Sequence, residues 1–104
     1  MSVSLTEENF ARHLHTKFRV RAPRPAELEL IEVKGWQSRP NEQQGLERFS
    51  LFFTGPGDVF MPQQIYTLEH EQMGAFDIFL VPVARDEQGF RYESVFNFFK
   101  ESEE

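Results

Sequence analysis

The chain has 104 residues, of which 11 are Lys or Arg, 17 are Asp or Glu and none is cysteine. That length predicts one domain spanning 1–104, and the missing cysteines exclude disulfides and cysteine-bound metal. The formal net charge of −6 argues against binding to nucleic acid and, for the same electrostatic reason, against binding to anionic membrane surfaces.

The first ten residues lack the basic and apolar regions of a signal peptide. The longest uninterrupted apolar run, residues 78–84, is much shorter than the roughly 20 residues that a membrane-spanning helix needs. We therefore expect a cytoplasmic protein that does not insert into a membrane.

A short helix is predicted near the N-terminus. Thr6 is a suitable N-cap, and Leu5 and Phe10 stand at the two positions of a hydrophobic staple. We expect the helix to run to about Leu14, because Phe10 and Leu14 then lie four residues apart on one apolar face.

The next two segments predict a β-hairpin, because apolar and charged residues alternate in 17–21 and again in 27–30. A register in which paired residue numbers sum to 48 places Val20 opposite Leu28 on the apolar face. The same register gives outward ion pairs of Arg21 with Glu27 and Arg19 with Glu29.

The apolar positions change parity after Leu30, and a bulge at Leu30–Ile31 would account for this. Residues 35–45 then show no period and many turn formers, which predicts a flexible, solvated loop of about 36–46. A further strand is expected over 48–53, ending in the Gly/Pro-rich segment 54–58.

Two more hairpins are predicted in the second half of the chain. The first pairs 65–70 with 75–83 in a register summing to 144, with Gly74 in the left-handed position of the turn. The second pairs the strand 75–83 with 90–98 in a register summing to 174. Residues 100–104 form an acidic tail.

The strand 75–83 is apolar on both faces and must therefore be central and covered on both sides, with the N-terminal helix as cover for part of the second face. Pro82 removes one hydrogen-bond donor, so pairing there is one-sided or bulged. The pattern predicts a mainly β (α+β) fold. We expect a small antiparallel β-barrel or strongly curved sheet of about six strands with a short N-terminal helix.

The histidines do not predict a metal or catalytic site. His13 and His15 are two residues apart, so a helix would turn them to different sides, and they could chelate a metal only if the helix ends before His13. Alternation in a strand separates His70 from Glu69 and Glu71. No serine occupies the sharp strand-to-helix turn that exposes a nucleophile. We expect no cofactor and no enzymatic activity, with an enzyme using His70 as base as the third-ranked hypothesis.

Three large apolar residues, Val59, Phe60 and Met61, lie in a connection bounded by glycine and proline. They either mark a binding surface or fold back to plug one end of the barrel. Phe99 raises the same question, because adjacent strand residues point to opposite faces and Phe98 precedes it.

A set of short motifs spans nearly the whole chain: Leu5-Thr6 with Phe10, Phe18-Arg19-Val20, Leu28-Glu29-Leu30, Glu32-Val33, Phe49-Ser50-Leu51, Gly55-Pro56, Pro62-Gln63, Tyr66-Thr67-Leu68-Glu69-His70, Gly74, Phe79-Leu80-Val81-Pro82-Val83 and Tyr92-Glu93-Ser94-Val95-Phe96-Asn97. With these motifs the chain resembles a family of small, uncharacterised bacterial single-domain proteins. It departs from the family pattern at Gln64-Ile65, where a Gly-Thr pair is expected.

The resemblance implies no established activity, and it suggests an association with phage-tail-like assemblies. The polar residues inside the matching segments either form a shared polar cluster or satisfy turns and strand ends. These residues are Tyr66, Glu69, His70, Tyr92, Glu93 and Asn97.

The leading functional hypothesis is a non-enzymatic structural or protein-interaction module. Its sheet edges, the Val59–Met61 segment and Phe99 would contact a protein partner or a second copy of the chain. The alternative is a small-molecule-binding barrel that uses its apolar interior.

Overall fold

The computed structural model describes residues 5–21, 25–35 and 46–99, excepting the side chains of residues 46, 47 and 97–99. The predicted acidic tail lies outside this part of the chain, as does the predicted flexible loop up to residue 45. The described residues form one helix and six strands: α1 (Glu7–Arg12), β1 (Lys17–Val20), β2 (Ala26–Gly35), β3 (Leu46–Gly55), β4 (Gln64–His70), β5 (Gly74–Asp86) and β6 (Gly89–Phe99).

The six strands form a closed barrel in the order β1-β2-β3-β6-β5-β4, and every neighbouring pair is antiparallel. Closure occurs between β1 and β4, where Arg19 pairs with Glu69 and Val20 with Leu68. The predicted fold class, a small antiparallel barrel with a short N-terminal helix, is confirmed.

Hydrophobic alternation places one face of each strand inside the barrel. The interior contains large side chains that are almost completely buried. They include Phe18, Leu28, Phe53, Tyr66, Leu80 and Tyr92. The core of the protein is therefore the filled lumen of the barrel.

The predicted register of β4 against β5 is confirmed, since Tyr66 pairs with Ile78 and Leu68 with Phe76. Gly74, at the turn between these strands, has the expected positive φ of 82°. The cross-strand pairs and the turn glycine were therefore sufficient to predict the register of this hairpin.

The predicted register of β1 against β2 is wrong by two residues, because Val20 pairs with Ala26 and Phe18 with Leu28. A shift of two keeps the same side chains inside the barrel. It changes the outward charge pairs, and Arg19 now lies opposite Glu27. Arg21 forms its ion pair with Glu69 of β4, a partner that exists only because the barrel closes.

Both predicted bulges are present. The register shifts between Leu30 and Glu32 in β2 and between Pro82 and Ala84 in β5. The β5–β6 ladder keeps the predicted sum of 174 at Val81–Glu93 and Pro82–Tyr92. It does not extend from Val81 toward the start of β5, so it does not include the predicted pair of Ile78 with Phe96.

Helix α1 begins where predicted, because the backbone N–H of Asn9 donates to Thr6 Oγ1 at 3.2 Å. It ends at Arg12, earlier than predicted. The chain turns there toward β1, with the His13 N–H donating to the Phe10 carbonyl at 2.9 Å and His15 at φ 68°.

The helix does not cover the outer face of β5, which corrects the prediction. Phe10 is fully buried, and its ring lies against the inward-facing rings of Phe76 and Phe96, with centroids 5.7 and 5.6 Å away. The helix therefore closes one end of the barrel, since this is where β5 and β6 are no longer paired. Phe79 and Val83, on the outside of β5, remain exposed.

We expect Gly89→Ala to lower the free energy of unfolding by about 2 kcal/mol. Gly89 has φ 133°, and a methyl group there would collide with the carbonyl oxygen of Gly55. Gly74→Ala is the matched control, since Gly74 also has a positive φ but open space around its Cα. Urea unfolding of both variants should give the smaller loss for Gly74→Ala, and equal losses would contradict the collision.

Candidate functional site

The connection after β3, residues 56–63, closes the end of the barrel opposite α1. Met61 lies inside at 4% exposure, and its backbone N–H donates to the Tyr92 hydroxyl at 3.1 Å. The Tyr66 hydroxyl in turn donates to the Pro62 carbonyl at 2.6 Å. Two core tyrosines thus hold this connection across the barrel end.

The three apolar residues of this connection have different environments. Met61 is buried, Val59 is half-buried and Phe60 is 57% exposed. The Phe60 ring contacts only the edge of Phe90 among the described aromatic rings, with centroids 5.3 Å apart. Met61 therefore plugs the barrel, while Phe60 faces outward. The side chain of Phe99 lies outside the described part.

The two tyrosines act as hydrogen-bonding structural groups. Burial raises the pKa of Tyr66, and the nearby Tyr92 raises it further. Burial also raises the pKa of Tyr92, although the Met61 N–H acts in the opposite direction. Both phenols therefore remain protonated at neutral pH and keep their hydroxyl hydrogens for the 56–63 connection.

His70 lies at the end of the barrel closed by α1. Its Nδ1 accepts from the backbone N–H groups of Gln72 and Met73 at 3.0 and 3.1 Å. These two donors require an unprotonated Nδ1, so the proton of the neutral ring is on Nε2. From there it is donated to Thr16 Oγ1 at 2.9 Å, and Thr16 donates to the His13 carbonyl at 2.6 Å.

This arrangement assigns His70 a structural role. Burial lowers its pKa, the His13 ring 4.7 Å away lowers it further, and Glu71 opposes the shift. Both ring nitrogens are occupied by groups of the fold itself. A free nitrogen that could take a proton from a substrate is therefore absent from His70, and this weakens the hypothesis that it acts as a general base.

Two further candidate polar residues, Glu69 and Glu93, lie on the outer surface. Glu69 forms an ion pair with Arg21, and Glu93 accepts from Ser50 Oγ at 2.8 Å. The side chain of Asn97 is not among those described. The structure thus distributes the candidate polar residues over both barrel ends and the outer face, and within the described chain no group of three or more side chains could hold a metal ion.

An open groove with a volume of about 730 Å³ runs along the outside of β1, β2 and β3. Glu29 occupies its wall, 3.4 Å from His15 Nδ1 and 3.7 Å from Lys17 Nζ. Glu29 of β2 therefore lies beside two basic side chains at the surface, an arrangement typical of a solvated strand face.

The outer face of the three neighbouring strands β4, β5 and β6 carries one exposed apolar side chain from each strand in a row. We call Ile65, Phe79 and Val95 the apolar strip; they are 65%, 45% and 62% exposed. Ile65 pairs directly with Phe79, and Phe79 and Val95 each lie two residues beyond the pair Val81–Glu93.

Sequence analysis missed the apolar strip because it assigned a cover to the outer face of β5. The available signal was the double apolar parity of residues 75–83 together with Ile65 beside the inward Tyr66. That pattern shows that two faces are apolar, but it does not show whether the second face has a neighbour in the same chain.

A closed barrel of six antiparallel strands, plugged at both ends and carrying an exposed apolar strip, defines a small β-barrel domain. A family model described as "Domain of unknown function (DUF6916)" matches residues 5–96. The chain belongs to this family, which confirms the predicted membership in an uncharacterised family. No curated protein and no solved structure matches the chain.

Among the described residues, no helix has the length and hydrophobicity required to cross a membrane.

Proposed function

We propose that the protein is a non-enzymatic interaction module whose docking surface is the apolar strip. The observation that carries this proposal is the exposure of Ile65, Phe79 and Val95 on three consecutive strands. Large apolar side chains exposed side by side are costly in water, and such patches are typical of surfaces that bind another protein.

The position of the strip also supports binding. The backbone of each residue in the strip is paired with a neighbouring strand, Ile65 with Phe79 and Val95 with Ser50 of β3. A surface held in this way needs little ordering when a partner arrives, so more of the contact free energy contributes to affinity.

The alternative function, a small-molecule-binding barrel, has less support. Interior positions are occupied by buried side chains such as Phe18, Phe53 and Leu80. A ligand would have to displace this core. An accessory role in a phage-tail-like assembly is a further extension of the proposal, and it rests on the sequence resemblance alone.

We expect Phe79→Ser to reduce capture of the partner about 10-fold or more, because truncating a central aromatic residue removes a large share of interface free energy. The measurement is affinity capture from a lysate of the native host with quantification by mass spectrometry. The captured protein is then purified, and its affinity for wild type and for Phe79→Ser is measured by titration calorimetry.

Phe60→Ser is the matched control, since Phe60 is also exposed but lies at the barrel end and not in the strip. Equal binding by wild type and Phe79→Ser would overturn the proposal. A loss with Phe60→Ser alone would move the docking surface to the connection 56–63.

A further inference from the structure

We infer that the partner of the apolar strip is a protein surface in which an apolar patch is flanked by Lys or Arg side chains. This inference rests on the proposed function and adds the chemistry of the partner. The carboxylates of Asp77 and Glu93, which lie on the same outer face as the strip, carry the argument.

These carboxylates lie on opposite sides of the strip. Asp77 precedes Phe79 by two residues in β5, and Glu93 precedes Val95 by two residues in β6. Glu93 pairs with Val81, which lies four residues after Asp77 in β5, so Phe79 lies between the two carboxylates along the strand direction. At about 3.3 Å per residue, the two carboxylates are separated by about 13 Å along the strands.

Both carboxylates are held by a hydroxyl group from a neighbouring strand. Thr67 Oγ1 donates to Asp77 Oδ1 at 2.6 Å, and Ser50 Oγ donates to Glu93 Oε2 at 2.8 Å. A hydroxyl donor orients the carboxylate and brings no positive charge that would neutralise it. Each side of the strip therefore presents a fixed negative charge.

The arginines of β3 and β6 on this face already have partners within the protein. Arg91 of β6 pairs with Asp86, whose Oδ2 lies 2.9 Å from Arg91 Nη2. Arg48 of β3, two residues before the Ser50 that pairs with Val95, is also engaged. The chain as a whole carries a formal net charge of −6. Local and overall charge thus both favour a partner with basic groups at its rim, since complementary potentials accelerate encounter and exclude wrong partners.

A second copy of the chain fits this surface less well. Two copies stacked strip against strip would each bring Asp77 and Glu93 into the same interface. Like charges placed in a partly desolvated contact oppose association. The charge pattern therefore favours a different protein over self-association.

The test uses the full-length chain, immobilised, and a phage-displayed library of random peptides as the probe. Selection at about 0.05 M NaCl, where surface charges are weakly screened, should enrich peptides that combine aromatic or aliphatic residues with Lys or Arg. The enriched peptides are then synthesised and their dissociation constants are measured with wild type and variants.

We expect Asp77→Asn combined with Glu93→Gln to weaken binding of these peptides about fivefold, and about 0.3 M NaCl to weaken wild-type binding similarly. Phe79→Ser should weaken it about 10-fold or more. Glu27→Gln is the matched control, because Glu27 is an exposed carboxylate on β2, away from the strip.

Three outcomes would overturn the inference. They are enrichment of acidic or uncharged peptides, binding unaffected by the double charge variant, and a dimer in sedimentation equilibrium that Phe79→Ser dissociates. If Phe79→Ser abolishes binding while the charge variant does not, the proposed docking surface stands and only the basic partner is wrong. If neither change affects binding, both proposals fail.

Discussion

Phe10→Ala is expected to lower the free energy of unfolding by about 3–5 kcal/mol, the range typical of removing a buried aromatic side chain. Phe10 is completely buried at the end of the barrel. Its ring contacts those of Phe18, Phe49, Phe76 and Phe96, with centroid distances between 5.6 and 6.5 Å. The variant would leave a cavity lined by four aromatic rings that are fixed on separate strands and cannot collapse into it.

Urea unfolding followed by circular dichroism gives the measurement. The control is Phe60→Ala, which removes the same side chain from an exposed position and should cost less than about 1 kcal/mol. A loss below about 1 kcal/mol for Phe10→Ala would show that α1 is a peripheral attachment and not part of the core.

The free energy of unfolding is expected to fall as the pH drops below about 6.5, because of His70. The pKa of His70 is lowered in the folded protein, so the unfolded chain takes up its proton first. The stabilisation is complete above about pH 7.5 and decreases between the unfolded pKa and the lower folded pKa. Protonated Nδ1 could no longer accept from Gln72 and Met73, and the charge would face His13.

His70→Asn is the matched variant for this prediction, because an asparagine oxygen can accept near the position of Nδ1 but does not titrate. Its unfolding free energy should depend less on pH between about 5 and 7.5 than that of wild type. His70→Phe should cost about 2–4 kcal/mol at pH 7.5, since it leaves the two donors of the turn unpaired, and this cost should shrink as the pH falls and wild type loses the contribution of His70. Parallel pH profiles of wild type and His70→Asn would contradict the assignment.

Local pairing rules were sufficient for much of the fold. The β4–β5 register followed from Tyr66, Leu68 and their apolar partners, and from one glycine in the turn. The bulge after Leu30 followed from a change of parity. These features depend on residues close together in sequence, so their pattern carries the information.

Features that depend on distant strands could not be predicted in this way. The predicted β1–β2 register relied in part on an ion pair of Arg21 with Glu27. Arg21 instead pairs with Glu69, which belongs to a strand far along the chain. Periodicity likewise places Phe10 on the apolar face of the helix, but it does not show that the ring enters the barrel end between β5 and β6.

The candidate site shows the same limit. From the sequence, His70 could act as a base, a metal ligand or a structural hydrogen-bonding group. Only the positions of two backbone amides and Thr16 identify it as a structural acceptor and donor. Met61 and Phe60 are neighbours of similar hydrophobicity, yet one lies inside the barrel and the other outside. The Tyr92 hydroxyl that accepts from the Met61 backbone N–H belongs to a strand far along the chain, and hydrophobicity alone does not reveal this contact.

Because the ring of strands closes, each strand has a neighbour on both sides. Where both neighbours are hydrogen-bonded, a partner cannot add a strand to the sheet, as many peptide-binding domains allow, and under the proposed function recognition falls to side chains on the outer face. Side chains there can be exchanged without disturbing a backbone ladder or the filled lumen. Relatives built on the same barrel could accordingly acquire different partners through a few surface substitutions while folding in the same way.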